Sequence, residues 1–442
     1  MTAQRRYFVY VGLFLLMFIN YLDRINLSVA AKDIAATYGL SPVELGYMFS
    51  SFLWTYLVFL IPMGLAADRF GGRAITYATL GLWSVAGIWT GLATSYASLF
   101  ASRLVLGVGE SASYPSGGKI IREWSPATER GVATAFLNSG AYAGLSVGSI
   151  VVAWLITGFG WRESFFITGA MGLALAAVWF LFYRRPEQAN WLSLSERQRI
   201  LGTRGAADSA TAGEFNQRLA MRRLLTSRSM WSLAITQGCA GYTLYLFMTW
   251  LPNYLAVSRG LDVLKSGFFS AVPYAMAVVI GLGLGWLSDR LIKRSGGRNG
   301  ERRKLIAVIL LLSSVILATP FVASIWIILA LFSVSLGCVS TAMAMNIALT
   351  SDLVTDGRYN GVAVSMLIMG GNLFGLAAPI VTGYIVAATS GFSGAFLVAG
   401  ILLLTGAAVI TVGARQPIEF PERAPSERNS LELVRKPLHG QA

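Results

Sequence analysis

Twelve apolar runs, each near the roughly 20 residues that a helix needs to cross a bilayer, punctuate this 442-residue chain. They fall near 8–31, 44–67, 74–94, 98–118, 130–158, 163–183, 230–257, 264–288, 304–320, 324–347, 359–388 and 391–413. Backbone polar groups in hydrocarbon must be satisfied internally, so runs of this length form helices. The chain reads as an all-α membrane protein with twelve transmembrane helices. A short basic segment precedes the first run and no small-residue cleavage site follows it, which marks a retained helix rather than a signal peptide.

The net charge of +14 would suit a nucleic-acid partner, but its distribution gives a plainer account. Place the N-terminus inside, and Lys and Arg gather on that side. Only Lys32, Arg162, Arg259 and Lys265 fall outside, while Arg24 and Arg103 are embedded. The positive-inside rule then puts both termini in the cytoplasm and leaves no need for nucleic acid. The lone histidine, His439, lies in the tail, and Cys239 and Cys338 fall in spans without metal-ligand spacing. Neither a metal site nor a cofactor is expected. The two cysteines read as packing residues.

A polar, Arg-rich stretch after Tyr183 divides the chain. The expected organisation is a six-helix bundle at 1–183, a cytoplasmic linker at 184–228, a second six-helix bundle at 229–413 and a cytoplasmic tail at 414–442. Short amphipathic helices are expected in the linker at SLSERQRIL, capped by Ser193 or Ser195, and at EFNQRLAMRRLL. One pattern occurs in both halves. Gly64-Leu-Ala-Ala-Asp68-Arg69-Phe-Gly71-Gly-Arg73 follows the second run and Gly285-Trp-Leu-Ser-Asp289-Arg290 follows the eighth. Two copies in matching positions imply an internal repeat of six spans. Asp68, Arg69, Arg73, Asp289 and Arg290 are thus expected to gate the cytoplasmic side, where an acid at a helix end can pair with bases on a neighbour.

Charge inside the spans is expensive and marks functional positions. Asp23 and Arg24 lie in the first span; Arg103 and Glu110 lie in the fourth. Arg103 and Glu110 are seven apart and share a helix face, with Gly107 between them and Tyr114 a turn further. Gly107 leaves room for a ligand or a close helix. Arginine suits an anion anchor because its planar fork grips a carboxylate with two bonds and stays charged. A substrate carboxylate engaging Arg103 removes the compensating charge from Glu110 and favours its protonation, and linkage makes the effect reciprocal. The bland alternative is a stabilising Arg103–Glu110 ion pair. Asp23 and Arg24 point about 100° apart, so Arg24 can face a cavity while Asp23 faces a neighbouring helix or Arg103.

These residues carry a resemblance to the major facilitator superfamily over roughly residues 8–413. Gly72 stands where that family usually has a basic residue in the first loop, and Ile292 takes a glycine position in the second. Tyr21-Leu-Asp23-Arg24-Ile-Asn26-Leu-Ser28 and Arg103-x3-Gly107-x-Gly109-Glu110-x3-Tyr114-Pro115 resemble the anion:cation symporter branch. That branch includes bacterial permeases for galactonate, glucarate, hexuronates, tartrate and phthalate, and animal carriers for glutamate and sialic acid. The fifth span, FLNSGAYAGLSVGSIVVAW, lacks the glycine-proline motif of drug exporters. The resemblance implies a proton symporter of the bacterial inner membrane working by alternating access, with Glu110 and Asp23 as proton sites.

Further polar residues lie in the spans: Tyr56, Asn138, Gln237, Tyr242, Asn346, Ser365 and Asn372. With Arg24 and Arg103, Tyr56, Gln237 and Asn372 are the expected substrate contacts, suited to a hydroxylated ligand. The leading expectation is a proton-coupled importer of an aldonate or hexuronate, acting as a monomer. The alternative is a permease for an aromatic or dicarboxylic acid such as phthalate or tartrate. A membrane enzyme would need a nucleophile, metal cluster or His-based acid/base in the spans, and the sequence offers none.

Overall fold

The computed structural model describes residues 5–202, 217–294 and 300–420, which are helical almost throughout. The first half carries α1 (Tyr7–Val29), α2 (Ala31–Tyr38), α3 (Pro42–Phe70), α4 (Gly72–Leu92), α5 (Tyr96–Glu110), α6 (Ser113–Trp124), α7 (Arg130–Phe159) and α8 (Trp161–Phe182). The linker holds α9 (Leu194–Gly202) and α10 (Gln217–Thr226). The second half holds α11 (Arg228–Ser258), α12 (Val263–Arg294), α13 (Glu301–Ser313), α14 (Ile325–Leu353), α15 (Asn360–Thr389) and α16 (Ser393–Gly413). Nine helices among the described residues are long and apolar enough to cross a membrane, α13 through its 3-10 continuation to Phe321. The other candidates fall short in two ways: α4 and α11 are long but more polar, and α5 and α6 are individually short.

That last pair corrects the sequence reading, which put one unbroken helix at 98–118. The helix stops at Glu110 and restarts at Ser113. Pro115 accounts for the break. It has no N–H to give the Ser111 carbonyl, and its ring would clash with that carbonyl in a continuous helix. The backbone instead tightens, with the Ala112 N–H on Gly109 O. Glu110 therefore sits at a helix end in the middle of a span.

Small residues set the helix spacing, as expected where apolar surface gives no preference between lipid and protein. A Cβ at Gly144 of α7 would lie 2.9 Å from Tyr21 Cβ on α1. A Cβ at Gly107 would meet Phe52 O and Thr55 Oγ1 of α3. Of the two uses foreseen for Gly107, close helix approach is the one observed.

The N-terminus, the linker and the C-terminal segment share one face. Arg6 binds Glu129 at 2.8 Å and Glu196 of α9 at 2.9 Å. Ser229 Oγ donates to Gln416 O at 2.7 Å. On this linker face Ser193 caps α9, accepting from Glu196 N at 3.3 Å, and Trp191 stacks on Trp124.

The two halves meet away from the linker face. Ser28 Oγ donates to Thr249 O at 2.6 Å, Ser50 Oγ to Leu376 O at 2.8 Å, and Ser146 Oγ to Ala271 O at 3.2 Å. Antiparallel α3 and α15 press backbone to backbone, Pro42 against Gly383 and Gly46 against Pro379. All of these contacts lie in the linker-distal halves of their helices. The molecule is closed at that end.

Candidate functional site

Side chains on a helix lean toward its N-terminus. On α1 that direction carries Arg24 from near the linker-distal end toward the middle of the bundle. There its Nε donates to Glu110 Oε2 at 2.6 Å, with both side chains buried. Its guanidinium lies over three rings: Tyr21 at 4.8 Å, Phe52 at 4.9 Å and Tyr56 at 5.2 Å. Arg103 lies over the same Phe52 ring at 5.9 Å. The Phe52 ring thus contacts two cations, and each such contact is stronger in desolvated surroundings.

The pairing differs from what the spacing suggested. Glu110 bonds Arg24, not Arg103, because α1 delivers its arginine beside the helix end that Pro115 creates. Among the described residues, Arg24 Nη2, Arg103 Nε and Nη1, Glu110 Oε1 and both Asp23 oxygens are buried without a hydrogen-bond partner. Asp23 is buried against α8 beside Thr168, within electrostatic reach of Arg103. The four charged groups sum to zero in their ionised forms. Donors left over on both arginines, in a dry setting, are what an anion with several oxygens would satisfy.

The second half supplies neutral groups. Tyr245 Oη donates to Asn372 Oδ1 at 3.0 Å, and Tyr245 packs near Phe52 with ring centroids 6.4 Å apart. Asn346 Nδ2 donates to Gln237 Oε1 and to Leu233 O, each at 3.0 Å. Tyr56 and Asn372 therefore join the arginine cluster, Asn372 through Tyr245. Gln237 sits two turns toward the linker from Tyr245, roughly 12 Å along α11, tied to Asn346 as a helix–helix bond. Asn138 and Ser365 are exposed, and Tyr242 is buried elsewhere, near Thr382.

Sequence reading gave no role to Tyr21, Phe52 or Tyr245. Tyr21 lies three residues before Arg24 and Phe52 four before Tyr56, spacings that share a helix face. Nothing local marks Tyr245.

At the linker face Lys119 of α6 holds the end of α3. Its Nζ donates to Ala67 O at 2.8 Å and Asp68 O at 3.0 Å, and lies 3.5 Å from Asp68 Oδ1. Asp68 itself is largely exposed. Arg69 lies over Phe70, Arg73 donates to Phe180 O at 2.5 Å, and Arg290 lies over Trp286. The Asp289 side chain, the tail beyond residue 420 with His439, and the start of the second linker segment are outside the described residues.

The Major Facilitator Superfamily model matches residues 13–300 and 296–440. The chain belongs to that superfamily. As such it is a multi-pass membrane transporter and not an enzyme. It is 31% identical to a probable galactarate/D-glucarate transporter of Escherichia coli (strain K12), over 94% of this chain and 95% of that one. It is 31% identical to a D-galactonate transporter of Escherichia coli O6:H1, over 92% and 94%. A probable sulfoacetate transporter of Cupriavidus necator is 33% identical over 94% and 96%. In fold it matches a bacterial homolog of the human lysosomal transporter Spinster (TM-score 0.76, 18% identity, 96% of this chain and 100% of that one). A D-xylose-proton symporter matches with a TM-score of 0.67 at 13% identity, over 93% and 98%.

Proposed function

We propose that this superfamily member imports a hydroxylated organic anion, a sugar acid such as an aldonate or hexuronate, together with protons. The observation that carries the reading is the buried Arg24–Glu110 pair with unused donors on both arginines. A substrate carboxylate takes Arg24 from Glu110, and a proton on Glu110 keeps the charge of the pocket constant. Each event favours the other, which is coupling. Asp23 is the second proton site. Tyr245 and Asn372 face the site with neutral donors and acceptors that suit hydroxyls, and two of the relatives above are named as a probable galactarate/D-glucarate transporter and a D-galactonate transporter.

The working geometry is alternating access, with 1–183 and 229–413 as the two moving bodies around twelve spans. The linker face is cytoplasmic by its excess of Lys and Arg, in a bacterial inner membrane, with a monomer as the transporting unit. Contacts between the halves on the linker-distal side correspond to the state open toward the cytoplasm. Asp68, Arg69 and Arg73, with Asp289 and Arg290, act when that side closes.

A second reading has its own support. Two guanidiniums over one ring suit a dianion, hence a dicarboxylic acid. Uptake of labelled aldonates, hexuronates, aldarates and aromatic acids into proteoliposomes, with and without an inward proton gradient, tests both. No gradient-driven uptake of any of these acids would overturn the proposal.

A further inference from the structure

We propose that Tyr245 is the positioning residue that seals the binding site on the linker-distal side, by closing its ring on Phe52. What the seal retains rests on the anion-transport reading above; that a seal exists does not.

Depth along the seam is the first ground. Going inward on α3, Pro42, Gly46 and Ser50 meet Gly383, Pro379 and Leu376 of α15. The next contact across the halves is Phe52 with Tyr245, after Phe49 with Trp250. On α11, Trp250 and Thr249 meet Phe49 and Ser28, and Tyr245 again stands innermost. On this side of the seam, among the described residues, the ring pair is the innermost contact named between α3 and the second half before the charged cluster. Beyond it stand Arg24 and Arg103, both over the Phe52 ring.

How Tyr245 is held is the second ground. Its hydroxyl is tied to Asn372 Oδ1 at 3.0 Å. Its ring lies in a slot left by Gly375, one turn along the same helix. A Cβ there would fall 2.6 Å from Tyr245 Cε2 and 3.0 Å from Cγ. A hydrogen bond and a missing side chain on α15 thus aim a ring from α11 at α3. Phe52 and Tyr245 are 2% and 7% exposed, so the joint is dry.

The consequence is mechanical. Rocking α3 away from α11 and α15 separates the rings and opens a route to Arg24 from the linker-distal side. Because Tyr245 comes from the half without embedded charges and Phe52 from the half that has them, relative motion of the halves breaks the seal.

The test uses the full chain in right-side-out vesicles, with Cys239 and Cys338 replaced by alanine and Tyr56→Cys as reporter one turn inside the ring pair. A membrane-impermeant maleimide is added from the linker-distal side, without substrate. Tyr245→Ala should raise the labelling rate at least tenfold, Gly375→Ala should raise it as well, and Tyr245→Phe should stay within threefold of the parent. Labelling of the same cysteine from the linker face in inverted vesicles, at the parent's rate, reports that each variant keeps the parent's fold. Tyr245→Leu, which fills the volume without a ring, replaces Tyr245→Ala if that variant is not recovered in the membrane, and should also exceed tenfold. Equal linker-distal labelling in the parent and in the ring-less variant overturns the seal. Failure of the protein with Tyr56 and both cysteines intact to transport any organic anion would instead remove the functional reading and leave the labelling result standing.

Discussion

Arg24 Nε donates to Glu110 Oε2 across 2.6 Å, joining the first membrane helix to the break between α5 and α6. A buried ion pair of this kind seldom adds net stability over apolar packing, so its presence calls for a use. On the function proposed above, that use is exchange of the Glu110 carboxylate for a substrate carboxylate.

Glu110→Gln is expected to abolish accumulation driven by a proton gradient while keeping substrate binding or counterflow in part. The amide imitates the protonated acid and leaves Arg24 free for the anion. Uptake and exchange compared in the same proteoliposomes decide the matter. Accumulation equal to the parent's would end the coupling role of Glu110.

Lysine should substitute poorly for either arginine, since it keeps the charge but loses the planar fork. Losing one charge-assisted contact costs about 1.5–3 kcal/mol, or roughly ten- to a hundredfold in affinity. The two positions should differ in one respect. Arg24→Lys disturbs the Glu110 bond and so the proton dependence of binding, whereas Arg103→Lys weakens binding with its pH profile retained. Titration calorimetry on purified protein at several pH values separates the two, and unchanged affinity in Arg103→Lys would make that arginine structural.

The sequence showed the helical membrane fold and all four embedded charges, because each is written in local composition. It showed the partners less well. Spacing along α5 places Arg103 and Glu110 on one face, yet cannot see that α1 is drawn into place by Gly140 and Gly144. The break after Glu110 was announced by Pro115 and missed because the hydropathy runs straight through it. Tyr245 was beyond reach, since its place beside Phe52 depends on how one half meets the other. The linker cap at Ser193 was legible because a cap is decided within one turn.

Gly107→Ala should be far more damaging than Gly118→Ala. A Cβ at 107 meets Phe52 O and Thr55 Oγ1, backbone and a bonded hydroxyl, whereas at 118 it meets nothing within 4 Å. Thr55 Oγ1 already donates to Leu104 O at 2.6 Å, so α3 and α5 have no slack to share. Overpacking of this kind costs about 1–3 kcal/mol. Thermal aggregation midpoints in detergent should fall for Gly107→Ala and hold or rise for Gly118→Ala. Equal midpoints would refute the close packing of these helices.

Arg6→Ala should release α9 from the first half. Arg6 is 2% exposed and bonds both Glu129 and Glu196, so its loss removes the cation bonded to Glu196 while Glu129 keeps its pair with Arg199. Removing one partner of a buried pair costs roughly 3–5 kcal/mol. Limited proteolysis should then cut the linker near α9 faster, and Glu196→Gln should show a milder form of the same change. Unchanged cleavage would show that the Arg199–Glu129 pair and the Trp124–Trp191 stack suffice to hold the segment.

Asp68→Asn should slow transport and raise the share of molecules open at the linker face, with substrate affinity altered only through that shift. Asp68 lies twelve residues, roughly 18 Å along the helix axis, from Tyr56, too far to touch the ligand. In the state seen here it is mostly exposed, with only a long contact to Lys119 at 3.5 Å. On the alternating-access reading proposed above, a group that closes the linker face should be idle while that face is open. Lys119 should tolerate alanine less well than Asp68 tolerates asparagine in this state, since it holds the Ala67 and Asp68 carbonyls at the end of α3. Spectroscopic distances between labels on the linker-side ends of α3 and α15 would report the populations. A parental distance distribution together with a parental transport rate in Asp68→Asn would remove Asp68 from the closing mechanism.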